Sequence, residues 1–146
     1  MTLPANSNRR RRMSRRGSTM VESAFVYLPL FAIMLAIVDF SVAIFIRNTF
    51  QHAVREGVRY GVTYQTMSGL GHDMSIKRVV QQHAMGFLNG TSGESKIQIN
   101  YYSPDTLLPT ASNAPGNILE VSIEGYNWGW IAPIWRSNSP LAIVAR

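Results

Sequence analysis

Side chains that could act as catalysts or metal ligands are few and scattered in this chain of 146 residues. The histidines are His52, His72 and His83, and His52 has a carboxylate, Glu56, four positions later on the same predicted helix face. Two ligands are too few for a metal site, because protein zinc sites take three or four. The sequence contains no cysteine, no HExxH motif, no phosphate-binding glycine loop and no nucleophile elbow. We therefore expect a protein with no reaction of its own and no cofactor.

Two carboxylates stand out because they lie beside or inside a long apolar segment. Residues 24–46 are interrupted only by Pro29, Asp39 and Ser41, and Glu22 comes just before them. An ionisable group at membrane depth is a functional candidate, since it is costly there unless it is paired. For Asp39 two interpretations stay open: it snorkels towards water, or it makes a polar contact with a partner helix. A pair with Arg47 is not expected, because eight helical residues span about 12 Å.

The apolar segment is long enough to cross a membrane. As a helix its 23 residues would measure about 35 Å, against a hydrocarbon core of about 30 Å. Its fourteen Leu, Ile, Val and Phe residues contribute about −6 kcal/mol to insertion, which outweighs about +3 kcal/mol for one Asp. The sequence therefore predicts a transmembrane helix at residues 24–46.

A signal peptide or a buried helix fits this N-terminal region less well than a membrane span does. A cleaved secretory signal would end near Ser41-Val42-Ala43, but the apolar run continues through Ile46. A twin-arginine signal would need apolar residues where Gly17-Ser18-Thr19 follows the arginines. A buried core helix would need more surrounding chain than is present here.

Positive charge is concentrated at the N-terminus. The formal net charge of +6 is carried by six arginines before the apolar segment, and residues 18–146 are neutral overall. These are Arg9, Arg10, Arg11, Arg12, Arg15 and Arg16. The positive-inside rule predicts a cytoplasmic N-terminus and a C-terminal part outside the cytoplasm, anchored by a single membrane pass. A charged tail of this kind argues against a folded nucleic-acid-binding domain, whose charge would cover a surface.

The chain after the apolar segment predicts an amphipathic stalk. Residues 47–66 continue the helical pattern, and Glu56 and Arg59 are spaced to form a weak ion pair. Gly57 and Gly61 have the spacing that lets another helix approach closely. They could equally be tolerated weak points, and the sequence leaves both interpretations open.

The remaining chain predicts a small head with an α+β fold. An amphipathic helix is expected at about Asp73–Leu88, followed by strands at Ile97–Tyr101, Leu119–Glu124 and Leu141–Ala145 in an antiparallel sheet. Residues 103–117 are predicted to be a turn-rich connection. Three zones result: a basic leader at 1–17, a transmembrane and stalk helix at 18–66, and a head outside the cytoplasm at 67–146. Three tryptophans in the head are assigned either to core and sheet-edge packing, to a membrane-interface contact or to a partner surface: Trp128, Trp130 and Trp135.

Several short motifs resemble those of TadE-like pseudopilins of the Tad (Flp) pilus system. The basic leader ends at Gly17, and Glu22 lies five positions later, just before the apolar helix. This arrangement resembles the cleavage site of prepilin peptidase substrates. Pro29-Leu30 and Ile37-Val38-Asp39-Phe40 within the apolar segment are also similar to the family. The third motif follows the span and contains Arg55, Glu56, Gly57 and Arg59. Ser23 departs from the family pattern, which usually has an aromatic residue there.

The resemblance implies a minor pseudopilin with a type IV pilin-like architecture, which acts in assembly of an adhesive pilus. Its expected partners are a prepilin peptidase, other pilins or pseudopilins, and the Tad inner-membrane machinery. Cleavage after Gly17 would leave an ammonium group on Ser18, which Glu22 of the same or a neighbouring subunit could compensate. Thr19 and Glu22 also have capping-box spacing, so Glu22 could serve as a helix cap as well.

A second hypothesis keeps the same topology without cleavage. In it, the chain is a signal-anchored envelope protein whose periplasmic head binds a ligand or a partner. The N-terminus of the mature protein separates the two hypotheses, since a processed pseudopilin would begin at Ser18 and an anchored protein at residue 1 or 2.

Overall fold

The fold consists of one long helix followed by two shorter helices and a small sheet. A computed structural model describes residues 14–131 and 141–146 of the chain. The helices are α1 (Ser14–Val62), α2 (His72–His83) and α3 (Gly90–Glu94). The strands are β1 (Ile97–Tyr102), β2 (Pro109–Thr110), β3 (Ile118–Trp128) and β4 (Leu141–Ala145). The predicted α+β class is confirmed.

The described chain divides into two units, of which the first ends at Val38 and the second begins at Asp39. In the first unit α1 exposes nearly all of its large apolar side chains, such as Phe25, Leu28 and Phe31. The helix contains Pro29, which apolar membrane helices tolerate better than soluble ones. From Thr19 onward α1 is long and apolar enough to cross a membrane, with a mean hydropathy of 2.4 over its most apolar stretch.

In the second unit the four strands form an antiparallel sheet in the order β2-β1-β3-β4. Strand alternation places every second side chain on the inner face, where Ile97, Val121 and Ile143 are buried. The β3–β4 register shifts between Ile123 and Tyr126, and Gly125 between them has a φ of +71°. Glycine accommodates this bulge because the left-handed region costs it nothing.

The core of the second unit lies between the sheet, α2 and the last part of α1. Phe50 is fully buried, and its ring meets those of Tyr126 and Phe87 edge-on at centroid distances of 4.9 and 6.3 Å. The other core residues come from all of these elements: Ile46, Ala53, Val54, Ile76, Val80, Ala84, Leu88, Ile97, Val121, Ile123, Ile143 and Ala145. The helix that was predicted as a stalk is therefore one side of a folded core.

Several predicted boundaries were wrong. Helix α2 ends at His83 rather than Leu88, because Met85 and Gly86 adopt φ values of 50° and 87° that no α-helix accepts. Ala84 and Leu88, which follow the helix, are nevertheless buried. The apolar spacing in this region therefore indicated burial in the core and not a helical conformation. Helix α3 follows closely, with Asn89 as its N-cap residue and Gly90 as its first residue.

The other differences concern strand length and the ends of α1. Strand β2 lies inside the predicted turn-rich connection, and β3 continues four residues beyond Glu124. Helix α1 begins at Ser14, inside the predicted leader, and ends at Val62. Strand β4 has the bounds that were predicted for it.

Candidate functional site

The predicted processing site lies near the beginning of α1. Gly17 and Ser18 fall within its first turns, and Glu22 is exposed further along the same helix. Because the helix already begins at Ser14, Thr19 is not an N-cap, and the predicted capping box with Glu22 is wrong for this conformation. The leader residues Arg9, Arg10, Arg11 and Arg12 lie outside the described residues, whereas Arg15 and Arg16 belong to the helix.

Asp39 is buried at the start of the second unit, with only 1% of its surface exposed. Its carboxylate accepts a hydrogen bond of 2.8 Å from the backbone N–H of Ile131, which follows β3. Beside it the rings of Phe40 and Trp130 meet edge-on, with centroids 5.7 Å apart. The two sequence-based interpretations, snorkelling and a partner helix, did not include this contact within the chain.

The motif after the apolar segment separates into exposed charges and one buried glycine. Arg59 forms the predicted ion pair with Glu56, at 3.2 Å, and Arg55 is exposed. Gly57 is buried, and a Cβ atom added there would lie 2.5 Å from Cγ2 of Val80 on α2. At Gly61 the added atom would lie 2.3 Å from Cδ2 of Leu119 on β3. Of the two interpretations of these glycines, the structure favours close approach, and the neighbours belong to the same chain.

Two of the three histidines, His52 and His83, lie near each other. The rings of His52 and His83 lie 5.9 Å apart, and the described residues contain no cluster of three metal-ligating side chains. Nδ1 of His83 lies 3.0 Å from the carbonyl oxygen of Val79, and His72 stacks on Tyr64 at 4.5 Å. Of the three histidines, His72 is buried, whereas His52 and His83 are exposed.

The tryptophans occupy different environments. Trp128, on β3, is half-buried and packs against the core, which agrees with the packing interpretation. Trp130 follows β3 and packs on Phe40 of α1, and Trp135 lies outside the described residues.

One hydrogen bond that the sequence did not predict joins α2 to the sheet. The hydroxyl of Tyr101 donates to the Asp73 carboxylate at 2.6 Å. Burial of the ring, helped by the adjacent carboxylate, raises the pKa of Tyr101 well above its usual range. The strand pattern placed Tyr101 on the inner face, but nothing local to it in the sequence indicated Asp73 as the partner.

A second unpredicted cluster lies on the outer face of the sheet around Glu120. Its carboxylate accepts a hydrogen bond from Tyr102 at 2.8 Å and pairs with Arg146 at 2.8 Å. The Tyr102 hydroxyl, followed by Asn100 and Arg146, holds the pKa of Glu120 below its usual value, and burial opposes this shift. The cluster fastens β4 to β3 and β1 through the last residue of the sequence.

Comparison with known families then identifies the N-terminal part of the chain. The family model of TadE-like proteins matches residues 17–59. These residues form a TadE-like segment. The TadE-like segment begins at Gly17, contains Glu22 and Asp39, and ends at Arg59, so the resemblance seen in the motifs is confirmed over that range. No curated protein and no solved structure matches the chain.

The match associates the chain with Tad pilus systems. The long apolar helix that fills most of the TadE-like segment is consistent with a membrane-anchored protein.

Proposed function

We propose that the chain is a minor pseudopilin that acts in assembly of a Tad (Flp) adhesive pilus. The observation that carries the proposal is the TadE-like match, which begins at Gly17, covers the apolar segment at 24–46 and ends at Arg59. In this role the protein is structural. Its apolar helix holds the subunit in the inner membrane, and the second unit contacts other pilins or the Tad inner-membrane machinery from the periplasm.

Processing is part of the proposal. A prepilin peptidase cleaves between Gly17 and Ser18, removing the leader that carries all six N-terminal arginines. The new ammonium group of Ser18 then lies at the beginning of an apolar helix, where an uncompensated charge is costly. The exposed carboxylate of Glu22, one turn further along, compensates it in the same or a neighbouring subunit.

The charged residues of the post-span motif are the proposed contacts with partners. Arg55 and Arg59 are exposed, whereas Gly57 between them is buried against α2. Packing of Gly57 fixes which face of α1 is turned outward, so the two arginines are presented together. Asp39 contributes to assembly through the local structure that it holds, because its own carboxylate is buried.

Mass spectrometry of the full chain, expressed with and without a cognate prepilin peptidase, tests this proposal. We expect the peptidase to shorten the wild-type chain by its first 17 residues. Gly17→Arg should block the cleavage. Gly71→Arg is the matched control, because Gly71 is exposed with open space around it, and this variant should be cleaved as the wild type is. An unchanged wild-type mass with active peptidase would favour the uncleaved signal anchor.

Glu22→Gln separates assembly from processing. Glutamine has the size and hydrogen-bonding capacity of glutamate but no charge. We expect cleavage and membrane insertion to persist and pilus formation to fall in a strain that requires this protein. Normal piliation with Glu22→Gln would contradict the compensating role of Glu22.

A further inference from the structure

A group of apolar side chains lies exposed where the second unit begins. On α1, Phe40 and Ile44 are each 57% exposed and lie one helical turn apart. On the segment after β3, Ile131 is 55% exposed, and the half-buried Trp130 packs its ring against Phe40. We call these four residues the collar.

Asp39 on α1 supplies a hydrogen-bond acceptor to the backbone of the collar residue Ile131. Asp39 accepts the N–H of Ile131 at 2.8 Å, and it is itself almost fully buried. Near the hydrocarbon of a bilayer an unsatisfied backbone N–H is costly, as is an exposed carboxylate. The contact removes both costs at once, so the backbone at Ile131 is suited to a water-poor environment.

The length of α1 before Asp39 indicates how deep in the membrane the collar lies. The candidate membrane span begins at Thr19 and the first unit ends at Val38, so these 20 residues rise about 30 Å, which equals the usual hydrocarbon thickness. Counted this way, the span ends at Val38 rather than at Ile46. Residues 39–44 then rise about 8 Å, close to the roughly 5–8 Å of one interfacial layer.

We propose that the collar is a membrane-contact surface that lies in the interfacial layer of the bilayer. Tryptophan is enriched at that depth because its indole combines an apolar ring with a polar N–H. Arg47 follows on the same helix face as Phe40 and Ile44, and the three residues line a cavity of about 320 Å³. In the proposed position, the long side chain of Arg47 places its cation at the level of the lipid phosphates. This inference rests on the membrane anchoring in the proposed function, but not on pilus assembly or cleavage.

Lipid is favoured over a second protein copy because Phe40 and Ile44 follow the apolar residues of the first unit directly in the sequence. The residue before Asp39 is Val38, which is 47% exposed and belongs to the unit whose side chains are turned outward as a lipid-facing helix requires. A second copy of the chain covering the same four residues is the competing outcome of the test.

Tryptophan quenching in vesicles tests the proposal. The full chain with Trp128→Phe and Trp135→Phe keeps Trp130 as its single tryptophan. It is reconstituted in phosphatidylcholine and phosphatidylglycerol vesicles that carry bromine either near the headgroup or deep in the acyl chain. We expect the Trp130 emission to be quenched, and more strongly by the shallow bromines than by the deep ones.

Two reference variants are made in a background with all three tryptophans changed to phenylalanine. Phe31→Trp lies in the apolar helix and should be quenched most by the deep bromines. Ile118→Trp lies at the opposite end of β3, about 30 Å along the strand, and should not be quenched, although Ile118 is 45% exposed. Circular dichroism of each variant checks that the fold is kept.

The outcomes are distinct. Quenching of Phe31→Trp without quenching of Trp130 would overturn the membrane contact while leaving the anchor intact. Absence of quenching in Phe31→Trp would overturn the anchor, and the proposed function with it. If Trp130 were protected from quenching and this protection disappeared on dilution of the protein in lipid, a second copy would cover the collar. That result would also overturn the proposal.

Discussion

Gly57 shows how a single residue can set the position of a helix. Its missing side chain lets α2 approach α1 so closely that a Cβ atom would lie 2.5 Å from Val80 and 3.7 Å from Ile76. Val80 is β-branched and fully buried, so it cannot rotate away. The close contact is therefore a requirement of the packing and explains why a glycine is placed inside a helix, where it costs about 1 kcal/mol relative to alanine.

We expect Gly57→Val to destabilise the second unit by about 1–3 kcal/mol through overpacking. Gly129→Ala is the control, because Gly129 has open space and an ordinary φ, and it should change stability little. Urea denaturation of the detergent-solubilised full chain, followed by tryptophan fluorescence, measures both. Equal stability of the two variants would contradict close packing at Gly57.

Burial of Tyr101 and its hydrogen bond to Asp73 make the folded state less stable at alkaline pH. The folded state keeps the Tyr101 pKa raised from its ordinary value of 10.0, first through burial and then through the Asp73 carboxylate. The unfolded tyrosine ionises as the pH passes 10, while the folded one stays neutral, so stability that is complete below that pH is lost above it.

We expect Tyr101→Phe to lower the free energy of unfolding by about 1 kcal/mol at neutral pH, since one hydrogen bond is lost. We also expect its stability to fall less steeply than the wild type above about pH 10. A weaker slope remains, because the pKa of Tyr126 is raised by burial and that of Tyr102 by its hydrogen bond to Glu120. Denaturation midpoints at neutral and alkaline pH provide the measurement, and parallel slopes would argue against a raised Tyr101 pKa.

At the scale of elements, α1 carries two different surfaces along one continuous helix. Up to Val38 nearly all of its large apolar side chains are exposed, as lipid contact would require. From Asp39 onward one face enters the core through Ala43, Ile46 and Phe50. The same helix therefore exposes apolar side chains in its first half and is a structural member of a globular core in its second.

A pair of phenylalanine variants tests this division. Phe50→Ala removes a fully buried ring between Tyr126 and Phe87 and should cost about 3–5 kcal/mol of stability. Phe31→Ala, on the same helix but 57% exposed, should leave unfolding of the second unit unchanged in detergent. If Phe31→Ala destabilised that unit as strongly, the division of α1 at Val38 would be wrong.

At the scale of the whole molecule, orientation in the membrane follows from the arginine asymmetry. Six arginines precede the apolar helix, whereas Arg47 is the one Arg or Lys among the eight positions that follow residue 46. Because basic residues are retained on the cytoplasmic side, we expect the second unit to be periplasmic.

Reporter fusions to the full chain provide the measurement. A reporter active only in the periplasm should be active when it is fused after Arg146 and inactive when it is fused near Arg16. Replacing the arginines at 9–12 with glutamine should weaken this preference without changing the length of the helix. The opposite activity pattern in the unmodified chain would make the second unit cytoplasmic.

Local patterns in the sequence were sufficient for the long helix, the α+β class and most of the strands. The long apolar run, the alternation in Leu119–Glu124 and the short apolar run in Leu141–Ala145 after Pro140 are all properties of neighbouring residues. The Glu56–Arg59 ion pair was predictable for the same reason, since its partners are three positions apart on one helix. The family resemblance in residues 17–59 likewise rests on short motifs.

Tertiary structure alone decided the contacts between residues that are distant in the chain. Asp39 bonds to Ile131 across 92 positions, Tyr101 bonds to Asp73 across 28, and strand β2 exists because β1 pairs with Pro109–Thr110. Helix α2 ends early because Ala84 and Leu88 reach the core by a turn, with the same apolar spacing that a helix would have had. Such contacts depend on which surfaces meet after folding, and no spacing between adjacent residues encodes that choice.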